Sequence, residues 1–203
     1  LITHLRSGDI VYFHFSGHGQ LVTDISGDEG DYGYDESLVP YDAKSKYEFN
    51  GYKGENHIID DELNQWLMTI KKRIGCSGKI LVVLDACHSG GGSRDENDDE
   101  KPLRGTRDCF NIPKTEQSVR SEQNPIKWIC ISACKSAQSN YEYKDDRSGR
   151  IYGRLSYALS KILTPGETVE QFEKQLILQY DNMSALYPQK PMIEYDLTEV
   201  TIL

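Results

Sequence analysis

The sequence has 203 residues, a formal charge of −9 and a pI near 5.1, with 37% hydrophobic residues gathered in a few runs. That is enough chain for one sizeable core, and it is too acidic for non-specific nucleic-acid binding, which neutralises phosphates. No run approaches the ~20 apolar residues of a membrane span, and no signal-peptide pattern opens the chain, so a cytoplasmic protein with neither nucleic-acid nor membrane partners is expected. The five cysteines include no CxxC pair. They read as free thiols in a reducing compartment rather than as a disulfide scaffold or a zinc site.

Residues 9–15, Asp-Ile-Val-Tyr-Phe-His-Phe, predict a buried strand that runs into Ser16-Gly17-His18-Gly19. Residues 24–42 hold seven acidic residues, no Lys or Arg, and glycines at 27, 30 and 33, which predicts a loop. From Ile58 to Ile74 the spacing of Leu63, Trp66, Leu67 and Ile70, with Asp60 and Asp61 at the start, predicts a helix. Residues 79–84, Lys-Ile-Leu-Val-Val-Leu, predict a second buried strand ending in Asp85-Ala86-Cys87-His88-Ser89-Gly90.

Residues 91–125 are polar and glycine-led, and they predict a long mobile surface loop. A third strand is expected at 127–133, then a polar loop at 135–150, helices at about 153–163 and 167–182, and a short strand at 191–195. Apolar strands separated by helices argue a mostly parallel sheet covered on both faces. The chain reads as one domain, 1–203. Residues 1–90 carry the chemistry, 91–125 form the loop, and 126–203 complete the sheet.

His18 and Cys87 each lie just past the carboxyl end of a predicted strand, the edge where open parallel sheets bind ligands. A thiol beside an imidazole is the minimal nucleophile–base pair for acyl transfer, the thiolate being the attacking species. The N–H groups of Gly19 and Cys87 could form an oxyanion hole, with no side chain on Gly19 to obstruct it. Asp85 and Ser16 each lie two residues before a member of the pair and so point to the same side. A buried carboxylate there suits an Arg or Lys side chain of a substrate, or else it caps the turn.

The Ser-Gly-His-Gly and Asp-Ala-Cys-His-Ser-Gly blocks resemble the dyad blocks of the caspase-like cysteine peptidases, and within them the metacaspases. The likeness extends to Tyr34-Asp35-Glu36, Pro40-Tyr41-Asp42, Ile58 to Leu63, Ile131 to Cys134 and Gln189-Lys190-Pro191. It implies a caspase-like three-layer α-β-α sandwich. His18 would be general base and acid, Cys87 the nucleophile of a thioester acyl-enzyme, and Asp85 and Ser16 the pocket for a basic residue. His88 is the rival imidazole, but neighbours on an extended chain point apart. His4, His14 and His57 are expected to be structural or solvated.

The resemblance also implies calcium activation through Asp35, Asp60 and Asp61, with Asp95 a weaker match; no cofactor is needed for the chemistry. Read alone, Asp60 and Asp61 are first-turn helix acids. The family fold opens with a strand and helix that eight residues before Asp9 cannot supply, so the expectation is either a separate cleaved N-terminal piece as a partner or a part absent from this sequence. The implied function is endopeptidase cleavage of proteins or peptides after Arg or Lys. Self-processing would follow Arg94, Lys101, Arg104, Arg107, Lys114 or Arg120. The rivals are a catalytically dead caspase-like scaffold and another dyad hydrolase on the same fold.

Overall fold

A computed structural model describes residues 2–29, 33–87, 103–106, 108–113, 127–135, 138–183, 189–196 and 201–203. After a short 3₁₀ turn at Ile2–His4, the strands and helices follow in this order: β1 (Ile10–Ser16), β2 (His18–Thr23), β3 (Tyr34–Val39), β4 (Ile58–Ile59), α1 (Asp60–Ile74), β5 (Lys79–Asp85), β6 (Ile129–Ser132), β7 (Glu142–Lys144), β8 (Ile151–Gly153), α2 (Arg154–Ile162), α3 (Val169–Asn182) and β9 (Met192–Glu194).

The main sheet has the order β1-β5-β6-β9, with the first three strands parallel and β9 antiparallel. β5 is its apolar centre, and Ile80, Leu81, Val82 and Val83 are all at most 2% exposed. Side chains alternate across a strand, so its two faces serve two cores. Leu81 and Val83 join Ile129, Ile131, Leu155, Leu159, Phe172 and Leu176 under α2 and α3. Ile80 and Val82 join Leu63, Leu67, Ile74 and Trp128 against α1. This is the expected layering of helices on both faces of a mostly parallel sheet.

α1 starts on Asp60, Asp61 and Glu62 and ends on Lys71, Lys72 and Arg73, charges that complement the helix dipole at both ends. α3 begins with a capping box: Thr168 accepts from the Gln171 N–H while the Gln171 side chain accepts from the Thr168 N–H.

Four expectations are corrected. The strand at 9–15 forms, but it is not buried. Among the described residues β1 pairs with β5 alone, and Ile10 and Tyr12 are 57% and 46% exposed. Within the predicted loop 24–42, residues 34–39 form β3, antiparallel to β2, so His18 opens a strand. There Asp35, Ser37 and Leu38 are buried, a pattern that the run of acidic residues hides. Residues 135–150 contain β7, which pairs with β8. Finally, parts of 91–125 are docked against the fold. Phe110 is fully buried with Val22 and Tyr52, its N–H donates to the Leu21 carbonyl at 2.7 Å, and its carbonyl accepts from the Thr23 N–H at 3.0 Å. Residues 91–102, 107 and 114–125 lie outside the described residues.

Candidate active site

The parallel pairing of β1 with β5 sets Ser16 opposite Asp85, and the Gly17 N–H donates to the Asp85 carbonyl at 3.2 Å. The chain segments carrying His18 and Cys87 therefore leave the sheet at the same edge, side by side. The N–H groups of Cys87 and Gly19 converge on a single oxygen, the carbonyl of Arg104, at 2.9 and 3.3 Å. Two backbone donors aimed at one carbonyl oxygen are the arrangement that stabilises a tetrahedral oxyanion, worth roughly 3–4 kcal/mol per donor.

The segment supplying that carbonyl is extended and clamped on both sides. The Arg104 N–H donates to the Asn140 carbonyl at 2.9 Å, the Thr106 N–H donates to the Gly19 carbonyl at 2.9 Å, and Leu103 bridges Tyr141. The peptide bond after Arg104 passes directly over the thiol-bearing residue. A Cβ on Gly105 would lie 2.7 Å from the Cys87 carbonyl oxygen and 3.1 Å from the Cys87 Cβ, so only glycine fits there.

The Arg104 side chain fills the pocket beside the pair. Its Nη2 donates to Ser16 Oγ at 2.7 Å and its Nε to the Asp85 carbonyl at 3.2 Å, while Nε lies 3.6 Å from Asp85 Oδ1 and Nη1 3.9 Å from Glu142. Asp85 is fully buried and held from two further directions. Ser156 donates its N–H and its hydroxyl to Oδ2 at 2.8 and 2.7 Å, and Asn140 Nδ2 donates to Oδ1 at 2.9 Å. A buried carboxylate needs such donors and a cation, and here it has both.

Asn140 is itself fully buried. Gln189 Nε2 donates to its Oδ1 at 2.7 Å and to the Ala133 carbonyl at 3.0 Å, which fixes the amide orientation. Gly153 forms the pocket wall: a Cβ there would lie 2.6 Å from Asp85 Cγ and 3.0 Å from Arg104 Cζ. Asn140, Ser156 and Gly153 carry no motif and the sequence reading missed them, while Gln189 was noted only within the Gln189-Lys190-Pro191 likeness and given no role in the site.

His57 is 5% exposed and bound between Tyr52 and Gln20, at 2.9 Å to each, and burial pushes its pKa down. That is a structural role. His14 contacts Ser156 Oγ at 2.9 Å, so it touches the support of Asp85, and desolvation holds its imidazole below the ordinary range. His88 and Asp95 lie outside the described residues.

Of the three carboxylates read as a metal site, Asp35 comes together with Asp24 and Asp28, their ligand atoms all within 4.8 Å of one another. Asp60 and Asp61 belong to the same acidic field. Burial, then repulsion from Asp24 and Asp61, raises Asp35 to about 7. Burial, then Asp35, raises Asp60 to about 7. Asp24 and Asp28 were missed although both stand in the acidic stretch that drew attention. Hard oxygens crowded this closely fit Ca²⁺, which would relieve their mutual repulsion.

Among the described residues no helix is long and apolar enough to cross a membrane. Residues 1–93 match the family described as metacaspase, peptidase C14 domain. Metacaspase-1 of Schizosaccharomyces pombe is 38% identical over 202 residues, covering 81% of this chain and 44% of that protein. Metacaspase-1A of Aspergillus niger is 33% identical, covering 95% of this chain and 53% of the relative. The chain thus spans about half the length of these curated relatives. A crystal structure of a protein from Geobacter sulfurreducens superposes with a TM-score of 0.59 at 20% identity, over 98% of this chain and 72% of that one, and supports the fold alone.

Proposed function

Because this chain belongs to the metacaspase family of caspase-like cysteine peptidases, we propose that it is an endopeptidase that cleaves after arginine or lysine and processes itself between Arg104 and Gly105. One observation carries the reading: Arg104 occupies the site as a substrate would, with its carbonyl on the Cys87 and Gly19 N–H groups and its guanidinium between Ser16 and Asp85.

The steps of this reading are those of a thiol–imidazole pair. The Cys87 thiol gives its proton to His18, and the thiolate attacks the carbonyl carbon of the basic residue. Negative charge gathers on the carbonyl oxygen and is held by the Gly19 and Cys87 N–H groups. The imidazolium of His18 returns the proton to the departing amine, leaving a thioester on Cys87. Water, deprotonated by His18, then hydrolyses the thioester and frees the new carboxyl end. Asp85 supplies the fixed charge that selects a basic side chain, and Ser16 adds a hydrogen bond.

Asp24, Asp28 and Asp35 would hold Ca²⁺, with Asp60 and Asp61 adding negative potential. The ion would neutralise the acidic cluster that borders β2 and β3, and so steady the strand that begins at His18.

The test compares Arg, Lys and Asp peptide substrates on the intact protein and on Cys87→Ala, each with Ca²⁺ and with chelator. Turnover of the Arg and Lys substrates, lost in Cys87→Ala, is expected. A preference for Asp, or turnover in the variant within tenfold of the parent, overturns the reading. Absence of labelling at Cys87 by a thiol-directed Arg-peptidyl probe would instead favour a scaffold.

A further inference from the structure

Two of the five cysteines, Cys87 and Cys134, meet. Cys87 lies two residues beyond the end of β5 and Cys134 two beyond the end of β6, the parallel neighbour. The two chains stay together past the strands, since the Ala133 N–H donates to the Leu84 carbonyl at 3.0 Å. Both thiols turn to the same acceptor, the Gln138 carbonyl, with Cys134 Sγ at 3.2 Å and Cys87 Sγ at 3.8 Å. The two side chains are also in hydrogen-bond contact with each other.

We propose that Cys134 is a resolving thiol for Cys87, so that peroxide converts the nucleophile reversibly to a Cys87–Cys134 disulfide. The inference rests on the peptidase reading only for its consequence, a reversible loss of activity; the bond itself does not depend on that reading.

The chemistry balances in two steps. The Cys87 thiolate attacks one oxygen of hydrogen peroxide, the O–O bond breaks, and sulfenic acid and hydroxide form. Cys134 sulfur then attacks the sulfenic sulfur, the S–S bond forms, and water leaves. Two thiols are oxidised and one peroxide is reduced to two waters.

The surroundings favour this order. Contact with Cys87 comes first, then burial, in holding the Cys134 thiol far above its ordinary range. Once Cys87 is a sulfenic acid, its sulfur is the electrophile and Cys134 is the thiol placed beside it. The other thiols have no such neighbour. Cys130 lies within β6, pushed up to about 12 by burial, Cys76 lies in the exposed turn after α1, and Cys109 is held up by burial and Asp108.

The experiment treats the whole chain with hydrogen peroxide, alkylates the remaining thiols, and maps peptides without reduction by mass spectrometry. A peptide pair joined through Cys87 and Cys134 is expected. Activity on an Arg substrate should fall about tenfold or more and return on adding dithiothreitol. In Cys134→Ser, basal activity is retained, but peroxide drives Cys87 to sulfinic acid and dithiothreitol no longer restores turnover. Cys134→Ala, with a melting curve for each variant, separates this effect from a fold defect.

Cys87 left unoxidised, Cys87 oxidised without the joined peptide, or a Cys134→Ser protein as recoverable as the parent each overturns the proposal. A joined peptide in a protein that cleaves no substrate would uphold the bond and sink the peptidase reading, so the two failures are distinguishable.

Discussion

The carbonyl oxygen of Arg104 lies 2.9 Å from the amide nitrogen of Cys87, so the backbone of the proposed nucleophile holds a peptide bond of the same chain. Arg104→Ala removes the guanidinium that anchors that bond. The cut between residues 104 and 105 should disappear, while Arg substrates added from outside are still cleaved, and without a lag. Intact-mass measurement over time checks this; an unchanged cut at the same bond would show that the pocket does not select it.

Asn140→Ala takes a donor from a fully buried carboxylate and removes the side chain on which Gln189 rests. Losing one such hydrogen bond costs about 1–3 kcal/mol. The expected outcome is a KM for Arg substrates raised about tenfold with a smaller change in kcat, because Asp85 is displaced while the thiol is untouched. Steady-state kinetics separates the two terms, and an equal fall in kcat with KM constant would place Asn140 elsewhere in the mechanism.

Gly153→Ala puts a methyl group into the space between Asp85 and Arg104. Cleavage of Arg substrates should fall by about two orders of magnitude or more. A melting temperature near the parent's would show that the fold survives, and binding of an Arg-peptidyl inhibitor should weaken in parallel. Full activity in this variant would mean that the basic side chain is bound somewhere else.

Asp35 and Asp60 both carry pKa values raised from 3.8 to about 7 in the folded chain. The native state therefore holds more protons than the unfolded state between about pH 4 and 7. Stability must fall as pH rises through that window, and it stays lower above it. In chelator the melting temperature should drop from pH 5 to pH 8. Ca²⁺ should reverse the drop at pH 8 and do little at pH 5, where the carboxyls are protonated. Asp35→Asn should flatten the pH profile and abolish the calcium response; a calcium effect of equal size at both pH values would refute the argument.

Much of this site is legible in the sequence because its parts are contiguous. Ser16 to Gly19 and Asp85 to Cys87 each combine a strand end with the side chains that strand delivers, so two short blocks give the proposed dyad, the backbone donors and the proposed pocket acid. The support of the pocket is different in kind. Ser156 and Asn140 reach Asp85 across sequence separations of 71 and 55, and a polar residue on a helix or in a loop gives no sign of what it will touch. β3 escaped for another reason: Asp35 is buried among acidic neighbours, against the usual rule that charge faces water. Arg104 stood as one of six equivalent basic residues, and only the fold distinguishes it from the rest.

The glycine after Arg104 and the thiol beneath it belong to one chain, with residues 88–104 between them in sequence, and under the self-processing reading this sets the kinetic order of the cut. A bond already seated on the site by its own chain needs no bimolecular encounter. Severing the bond should therefore be first order, with a half-time unchanged on tenfold dilution. Until that happens, any protein substrate competes against an occupant that no dilution removes, so its apparent KM is inflated by the tether and not by weak recognition.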